Sequence, residues 1–247
     1  LIFKSGLRFH IYDSTADHEA RQFLKVRLFE KIQNYKSNHP IKILMIGSPG
    51  IQELKDLPED ELSKLDVTCV DKSNTFNFYE KLPLKSHKII QKDVFDFFKE
   101  NNNKYDIILN RWFLHHVSEQ NKKIVCSSSF DILNDNGLFV IIDWFINNWN
   151  NKEGLFAATK HFYEYRIKYF PHQKDKMKTK GRDNPDYWWN LIHDDKNFSG
   201  GKHPSRDKIE DYLNEVGFKN VFIENIADKK IIDDPFHWGH VAALAEK

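Results

Sequence analysis

Short apolar segments that alternate with stretches of helical character constrain the fold of this chain more than any other feature. The segments are Ile41–Ile46, Val67–Val70, Lys88–Gln91, Tyr105–Asn110 and Leu138–Ile142. Short apolar runs separated by helices are typical of parallel strands that are buried on both faces. We therefore expect an α/β fold with a doubly wound, mostly parallel sheet.

The rest of the chain predicts three further parts of a single domain that spans residues 1–247. Residues 1–40 form an N-terminal helical segment. Residues 144–203 interrupt the strand pattern with an aromatic-rich insertion, in which apolar and aromatic pairs repeat along one helix face. A helix near Ser205–Val216 follows, and the segments Phe218–Ile226 and Phe236–Leu244 predict an antiparallel C-terminal hairpin, which brings the sheet to seven strands.

Charge and cysteine content limit the classes of partner. The chain has 37 Lys and Arg residues against 36 Asp and Glu residues, for a net charge of +1. This balance disfavours nucleic-acid binding, which needs a basic face. No apolar stretch approaches the length of a membrane span. The two cysteines, Cys69 and Cys126, lie in apolar or helical stretches and are expected to be reduced, as in a cytoplasmic protein.

Polar and glycine residues follow the predicted strands, where an open parallel sheet binds its ligands. Gly47, Ser48, Pro49 and Gly50 come after the first strand. Asp71 follows the second strand, at a spacing that suits hydrogen bonds to ribose hydroxyls. Asp93 follows the third strand and is placed to accept a hydrogen bond from an adenine amino group. An ordinary turn at the glycines, and helix caps at the two aspartates, are the structural alternatives.

The order of these segments resembles the class I S-adenosylmethionine-dependent methyltransferases that act on small molecules. Ile41–Ile51 (IKILMIGSPGI) is similar to their first motif, Val67–Asp71 to the second and Gln91–Val94 to the third. Tyr105–Val117 (YDIILNRWFLHHV) resembles their fourth-strand segment. The helix-to-strand turn at Ile132–Leu138, with its sequence ILNDNGL, and the last helix, which ends in LNEVGF, also fit. The resemblance covers nearly the whole chain.

The resemblance implies a methyl transfer from S-adenosylmethionine to a small-molecule acceptor, with S-adenosylhomocysteine as product. The residues that it places at the cofactor are Gly47, Ser48, Pro49, Gly50, Asp71, Lys72, Asp93, Val94, Asn110 and Arg111. Such a reaction depends mainly on positioning the acceptor in line with the methyl group, and a histidine base helps where the acceptor carries a proton. His116 is the predicted catalytic residue.

The insertion at residues 144–203 occupies the place where this family carries a lid over the acceptor. Its aromatic residues also serve as a small core, but three large adjacent rings at Tyr187–Trp189 cannot all face one way. The expected acceptor contacts are Tyr12, His115, Trp144, His161, Trp188, Trp189 and His203. No dense group of Asp, Glu and His residues supports a metal site. A monomer and a homodimer are equally compatible with the sequence.

The first motif departs from the family pattern in two places. Met45 stands where an acidic residue is usual, and Pro49 lies within the glycine loop. The alternative is therefore a protein that keeps this fold without transferring a methyl group, either an enzyme of other chemistry or a partner subunit. An RNA or protein methyltransferase is disfavoured, because the fourth-strand segment lacks the Asn/Asp-Pro-Pro-aromatic motif that is used for nucleobase amines.

Overall fold

The computed structural model of the chain contains a seven-stranded sheet with helices on both faces. It describes residues 23, 25–28, 30–35, 39–47, 54, 56–72, 82–146, 148–169, 203–226 and 240–247. The strands are β1 (Ile41–Ile46), β2 (Leu65–Asp71), β3 (Ser86–Gln91), β4 (Tyr105–Arg111), β5 (Leu133–Trp144), β6 (Lys219–Asn225) and β7 (His240–Glu246). The helices are α1 (Glu59–Leu62), α2 (Val94–Glu100), α3 (Glu119–Ile132), α4 (Lys152–Tyr169) and α5 (Arg206–Val216), and a 3-10 turn covers Leu114–His116.

The strands lie in the order β3-β2-β1-β4-β5-β7-β6. Five of them are parallel, and β7 runs antiparallel to both β5 and β6. The predicted fold class, including the antiparallel C-terminal hairpin, is confirmed. The chain passes outward from β1 to β3 on one side and from β4 to β5 on the other. The strand order therefore reverses between β1 and β4, and this is the place where open α/β sheets bind ligands.

Alternate residues of the central strands supply two separate apolar cores, one on each face of the sheet. Leu44 and Ile46 of β1 pack against α2, α3 and α5, whereas Ile43 and Met45 pack against α1 and the helical segment before β1. Both faces are covered, so these strands are apolar at nearly every position. Met45 is fully buried in the second core. The side chain at the position of the missing acid is thus a packing residue.

The expected turn at Asn134–Gly137 was wrong, because these residues belong to β5. The pairing of β4 with β5 slips between Tyr105–Leu133 and Ile107–Leu138, so the four residues form a bulge inside the strand. The end of the chain holds this bulge in the sheet: Asn136 donates its N–H to the carbonyl of Lys247, and Lys247 donates to Gly137. These partners lie too far along the sequence for local turn chemistry to reveal them.

Several local predictions are confirmed. Gly217 ends α5 with a φ of 105°, the left-handed conformation that favours glycine after a helix. Cys69 and Cys126 are both buried, and neither forms a disulfide. The short helix α1 starts directly after Pro58. No helix in the described ranges combines the length and the apolar character needed to cross a membrane.

Candidate functional site at the carboxyl edge of the sheet

The ends of β1, β2 and β3 lie side by side at one edge of the sheet. Gly47 donates its N–H to the carbonyl of Val70 at 3.1 Å, and Lys92 donates its N–H to the carbonyl of Asp71 at 3.0 Å. These backbone bonds tie together the three strand ends that the sequence singled out. Asp71 is half-buried as the last residue of β2, and Lys72 next to it is exposed.

Gly47 has a φ of 67°, and the turn after β4 packs directly against it. A Cβ built on Gly47 meets Cβ of Phe113 at 2.5 Å. The glycine is therefore required both by its left-handed backbone and by close packing against Phe113. Sequence reasoning assigned this glycine to close approach of a ligand, and the structure adds a neighbour within the chain.

Asp93 makes the contact of a helix cap. It is the N-cap of α2, and its Oδ1 accepts a hydrogen bond from the N–H of Phe95 at 2.9 Å. This is the structural alternative that the sequence left open, and the adenine contact stays a prediction. The neighbouring Val94 is buried in the apolar core, so its side chain has a packing role.

Asn110 is the most informative of the predicted cofactor residues. It lies near the end of β4, between Ile46 of β1 and Ile141 of β5, and only 1% of it is exposed. Neither its side-chain nitrogen nor its side-chain oxygen has a hydrogen-bond partner in the structure. An unsatisfied buried polar atom costs about 1–3 kcal/mol. Asn110 is therefore suited to a partner that comes from outside the chain.

Arg111 and Trp112 follow Asn110 and extend the site toward β5. Arg111 is buried, and its guanidinium lies over the ring of Trp112 with Cζ at 5.5 Å from the ring centroid. Trp112 has a φ of 56°, which is strained for a bulky residue and is held by a hydrogen bond from its N–H to the carbonyl of Ile142. The rings of Trp112 and Trp144 lie 5.7 Å apart.

His115 is anchored by a carboxylate that sequence reasoning missed. Nδ1 of His115 lies 2.7 Å from Oδ1 of Asp143, and the backbone N–H of His115 donates to Oδ2 at 3.2 Å. The N–H of Trp144 also donates to Oδ1 of Asp143, at 2.7 Å. Asp143 is fully buried near the end of β5. A single acid in the apolar run LFVIIDW was the one sequence signal that could have revealed it.

Three imidazole rings form a group at this edge, with His115 in the middle. Its ring centroid lies 3.9 Å from that of His116 and 5.5 Å from that of His203. His203 comes from the far end of the insertion, and the adjacent Pro204 is held just beyond the end of β5 because its carbonyl accepts the N–H of Ile146 at 2.9 Å. The structure thus brings His203, which the sequence predicted as an acceptor contact, against His115.

The pKa of His116 is lowered although the residue is exposed. Desolvation of the ring is the main cause, and the adjacent His115 adds to it, so that the pKa falls from 6.5 to about 4. The pKa of His116 also responds to Asp143, Lys72 and Asp71, which locates this ring between the end of β2 and the end of β5.

Stability is expected to fall in acid because of His116. The unfolded chain binds more protons than the folded chain between the folded pKa of about 4 and the ordinary value of 6.5. The contribution of the neutral His116 to the free energy of unfolding is therefore complete above pH 6.5, and it is lost as the pH falls toward the folded pKa of about 4. The free energy of unfolding in urea, measured across this range, should depend less steeply on pH in His116→Asn. Identical slopes for the two proteins would show that His116 is not desolvated.

The remaining predicted residues lie on α4 or outside the described part. His161 is half-buried on α4, and its contact with the acceptor stays a prediction. Within the described ranges, no group of three or more His, Cys, Asp or Glu side chains could hold a metal ion. Tyr12, Ser48, Pro49, Gly50, Trp188 and Trp189 lie outside the residues that the structure describes.

No family model matches the sequence, and no curated protein matches it. Solved structures do match the fold. A SAM-dependent methyltransferase from Archaeoglobus fulgidus is 14% identical with a TM-score of 0.51, over 92% of this chain and 94% of that chain. The N-methyltransferase NodS from Bradyrhizobium japonicum is 10% identical with a TM-score of 0.52, over 95% and 98%.

The likeness extends to proteins named for other chemistry. The cyclopropane synthase MmaA2 from Mycobacterium tuberculosis is 9% identical with a TM-score of 0.53, over 90% of this chain and 83% of that chain. Identities this low establish the architecture and leave the reaction open. The resemblance inferred from the strand motifs is confirmed at that level: this chain has the fold of the S-adenosylmethionine-dependent methyltransferases.

Proposed function

We propose that this chain is an enzyme that transfers a methyl group from S-adenosylmethionine to a small-molecule acceptor. The observation that carries the proposal is the position of Asn110. Its unpaired amide lies beside the crossing from β1 to β4, where the strand order reverses and where such sheets bind nucleotide-like ligands. A bound cofactor, directly or through one ordered water, supplies the partners that this amide lacks.

The other residues at this edge of the sheet also suit S-adenosylmethionine. The carboxylate of Asp71 at the end of β2 suits the ribose hydroxyls, and Gly47 carries the chain out of β1 beside it. The cofactor supplies an activated methyl group when it is bound. The chain's own part is to hold the acceptor in line and to exclude water. The near-balanced charge supports a small molecule over a nucleic acid, and two cysteines without a disulfide fit a cytoplasmic place of action.

A second candidate function follows from Met45. Its side chain is fully buried in an apolar core, so β1 offers no carboxylate to the cofactor. A protein that keeps this fold without methyl transfer is the alternative. Titration calorimetry with S-adenosylmethionine and with S-adenosylhomocysteine separates the two. Micromolar binding of either ligand supports the enzyme, and the absence of binding of both rejects it.

Asn110→Val tests the residue that carries the proposal. It removes two unpaired polar atoms and places a residue that favours strands on β4. We expect the ligand-free protein to gain about 1 kcal/mol in the free energy of unfolding, because an apolar side chain has no desolvation penalty to recover. The affinity for S-adenosylhomocysteine, measured by calorimetry, should fall about tenfold, which corresponds to about 1.4 kcal/mol.

Ser129→Ala is the matched control for Asn110→Val. Ser129 lies in α3, is fully buried, and has an unpaired Oγ, but it is close to the opposite edge of the sheet. Its replacement should also stabilise the ligand-free protein and leave the affinity for S-adenosylhomocysteine unchanged. Equal affinities of wild type and Asn110→Val would remove Asn110 from the cofactor site.

A further inference from the structure

The buried carboxylate of Asp143 makes more contacts than a structural cap requires. It accepts the N–H of Trp144 and the N–H of His115, and it binds the His115 ring. The two oxygens of Asp143 are thus shared among three nitrogen atoms of neighbouring residues. An ionised carboxylate is the form that accepts this many hydrogen bonds, because it has acceptor sites on both oxygens and no proton of its own.

A buried cation lies near Asp143. Lys122 on α3 is fully buried, and its charge interacts with that of Asp143. Its Nζ is paired with Oε2 of Glu119 at 2.8 Å. The groups around the His115 ring are Asp143 behind it and the rings of His116 and His203 beside it.

The contact with Asp143 selects one tautomer of His115. A carboxylate only accepts, so Nδ1 of His115 must carry the proton of this 2.7 Å hydrogen bond. Nε2 then bears the lone pair, and it is the nitrogen that can take a proton. The side chain of His115 is 17% exposed, whereas Asp143 behind it is fully buried. This is the arrangement in which a carboxylate orients an imidazole base and stabilises the imidazolium.

We propose that His115, oriented by Asp143, is the base of this site and that the acceptor atom is a hydroxyl oxygen; this rests on the proposed methyl transfer. As the oxygen forms its bond to the methyl carbon, the O–H proton passes to Nε2. The bond between the methyl carbon and sulfur breaks, and its electron pair stays on sulfur as the neutral thioether. The proton then leaves His115 for solvent. Asp143 is a positioning residue, since it acts through His115.

The base itself favours a hydroxyl acceptor over an amine. An uncharged amine attacks the methyl group through its lone pair and loses its proton afterwards, whereas a hydroxyl must lose its proton while it attacks and so depends on the base more strongly. A base that is held by a buried carboxylate behind it therefore fits a hydroxyl oxygen.

The tautomer of His115 tests the proposal without knowledge of the natural acceptor. Protein labelled with ¹⁵N in its histidines and saturated with S-adenosylhomocysteine is measured by NMR at a pH where the His115 ring is neutral. We expect Nδ1 of His115 to carry the proton, and Asp143→Asn to raise the share of the tautomer that is protonated on Nε2. The affinity for S-adenosylhomocysteine should stay within about threefold of wild type. A proton on Nε2 in the wild type, or a tautomer ratio that Asp143→Asn leaves unchanged, overturns the proposal.

Acceptor chemistry is tested with catechol and ortho-diaminobenzene, which differ only in the attacking atom. Methyl-labelled S-adenosylmethionine reports the transfer. We expect methylation of catechol, a loss of about 100-fold in His115→Gln, and no loss in Ser129→Ala. Preference for the diamine overturns the hydroxyl assignment. A loss of methylation of this size in His116→Asn, without a loss in His115→Gln, would show that His116 is the base. If neither probe is methylated, the tautomer measured by NMR decides whether Asp143 orients His115 as a base. Failure of S-adenosylhomocysteine to bind at all rejects the proposed function itself.

Discussion

Replacing Gly47 with alanine is expected to destabilise the protein by about 3 kcal/mol or more, because two separate penalties combine at this position. The φ of 67° is unfavourable for any residue with a Cβ, and the new methyl group lies 2.5 Å from Cβ of Phe113. The neighbour cannot move aside as a flexible side-chain end would, since that Cβ is fixed to the backbone. Urea denaturation measures the loss. Affinity for S-adenosylhomocysteine should fall with it, because the turn after β4 moves.

Gly217→Ala separates the two penalties. Gly217 also has a positive φ, of 105°, but a Cβ there meets only the ring of Phe130 at an ordinary 3.6 Å. We expect a cost of about 1 kcal/mol from the backbone alone and no change in ligand affinity. If both variants lose the same stability, the contact between Gly47 and Phe113 carries no energy and the packing argument fails.

Glu119→Gln is expected to cost about 3 kcal/mol, because it leaves the buried ammonium of Lys122 without its counter-charge. Lys122 is fully buried, and Glu119 accepts hydrogen bonds from Nζ of Lys122 at 2.8 Å and from the hydroxyl of Tyr212 at 2.9 Å. Burial already lowers the pKa of Lys122 while Glu119 opposes the shift. Removing the carboxylate charge leaves the desolvation cost uncompensated. Urea denaturation at neutral pH measures the effect.

Lys122→Met is the matched variant for this pair. It replaces the cation with an apolar side chain of similar length. Glu119 keeps its hydrogen bond from the Tyr212 hydroxyl, and 21% of the Glu119 side chain is exposed to water. We expect a cost of about 1 kcal/mol or less, and we expect the double variant to recover most of the loss caused by Glu119→Gln. A double variant as unstable as Glu119→Gln alone would show that the charge on Lys122 is not the cause.

Much of the fold was predictable because its signals are local. The central strands contain the continuous apolar runs Ile43–Ile46, Ile107–Leu109 and Leu138–Ile142, which is the pattern of a sheet covered on both faces. Gly217 marks the end of α5 by its own conformational freedom. The bulge at Asn134–Gly137 was missed, because its residues are ordinary turn formers and only Lys247 holds them within the strand.

The candidate site was only partly predictable, for the same reason. The residues after the strands were found, since each follows its own strand in the sequence. The contact of His115 with Asp143 was not, because adjacent histidines look alike until a carboxylate that is distant in sequence binds one of them. The sequence left two roles open for Asp93, an adenine contact and a helix cap. The hydrogen bond from the N–H of Phe95 shows the cap contact.

The amino-acid sequence by itself determined where the central strands lie, which of their residues face the two cores, and which polar residues follow the strands at the carboxyl edge. Periodicity and turn chemistry extend over a few residues and can be read without coordinates. Only the tertiary structure decided that β7 enters between β5 and β6, that Phe113 makes Gly47 necessary, and that Asp143 orients His115. Each of these depends on groups distant in sequence, whose contact exists only once the sheet has formed.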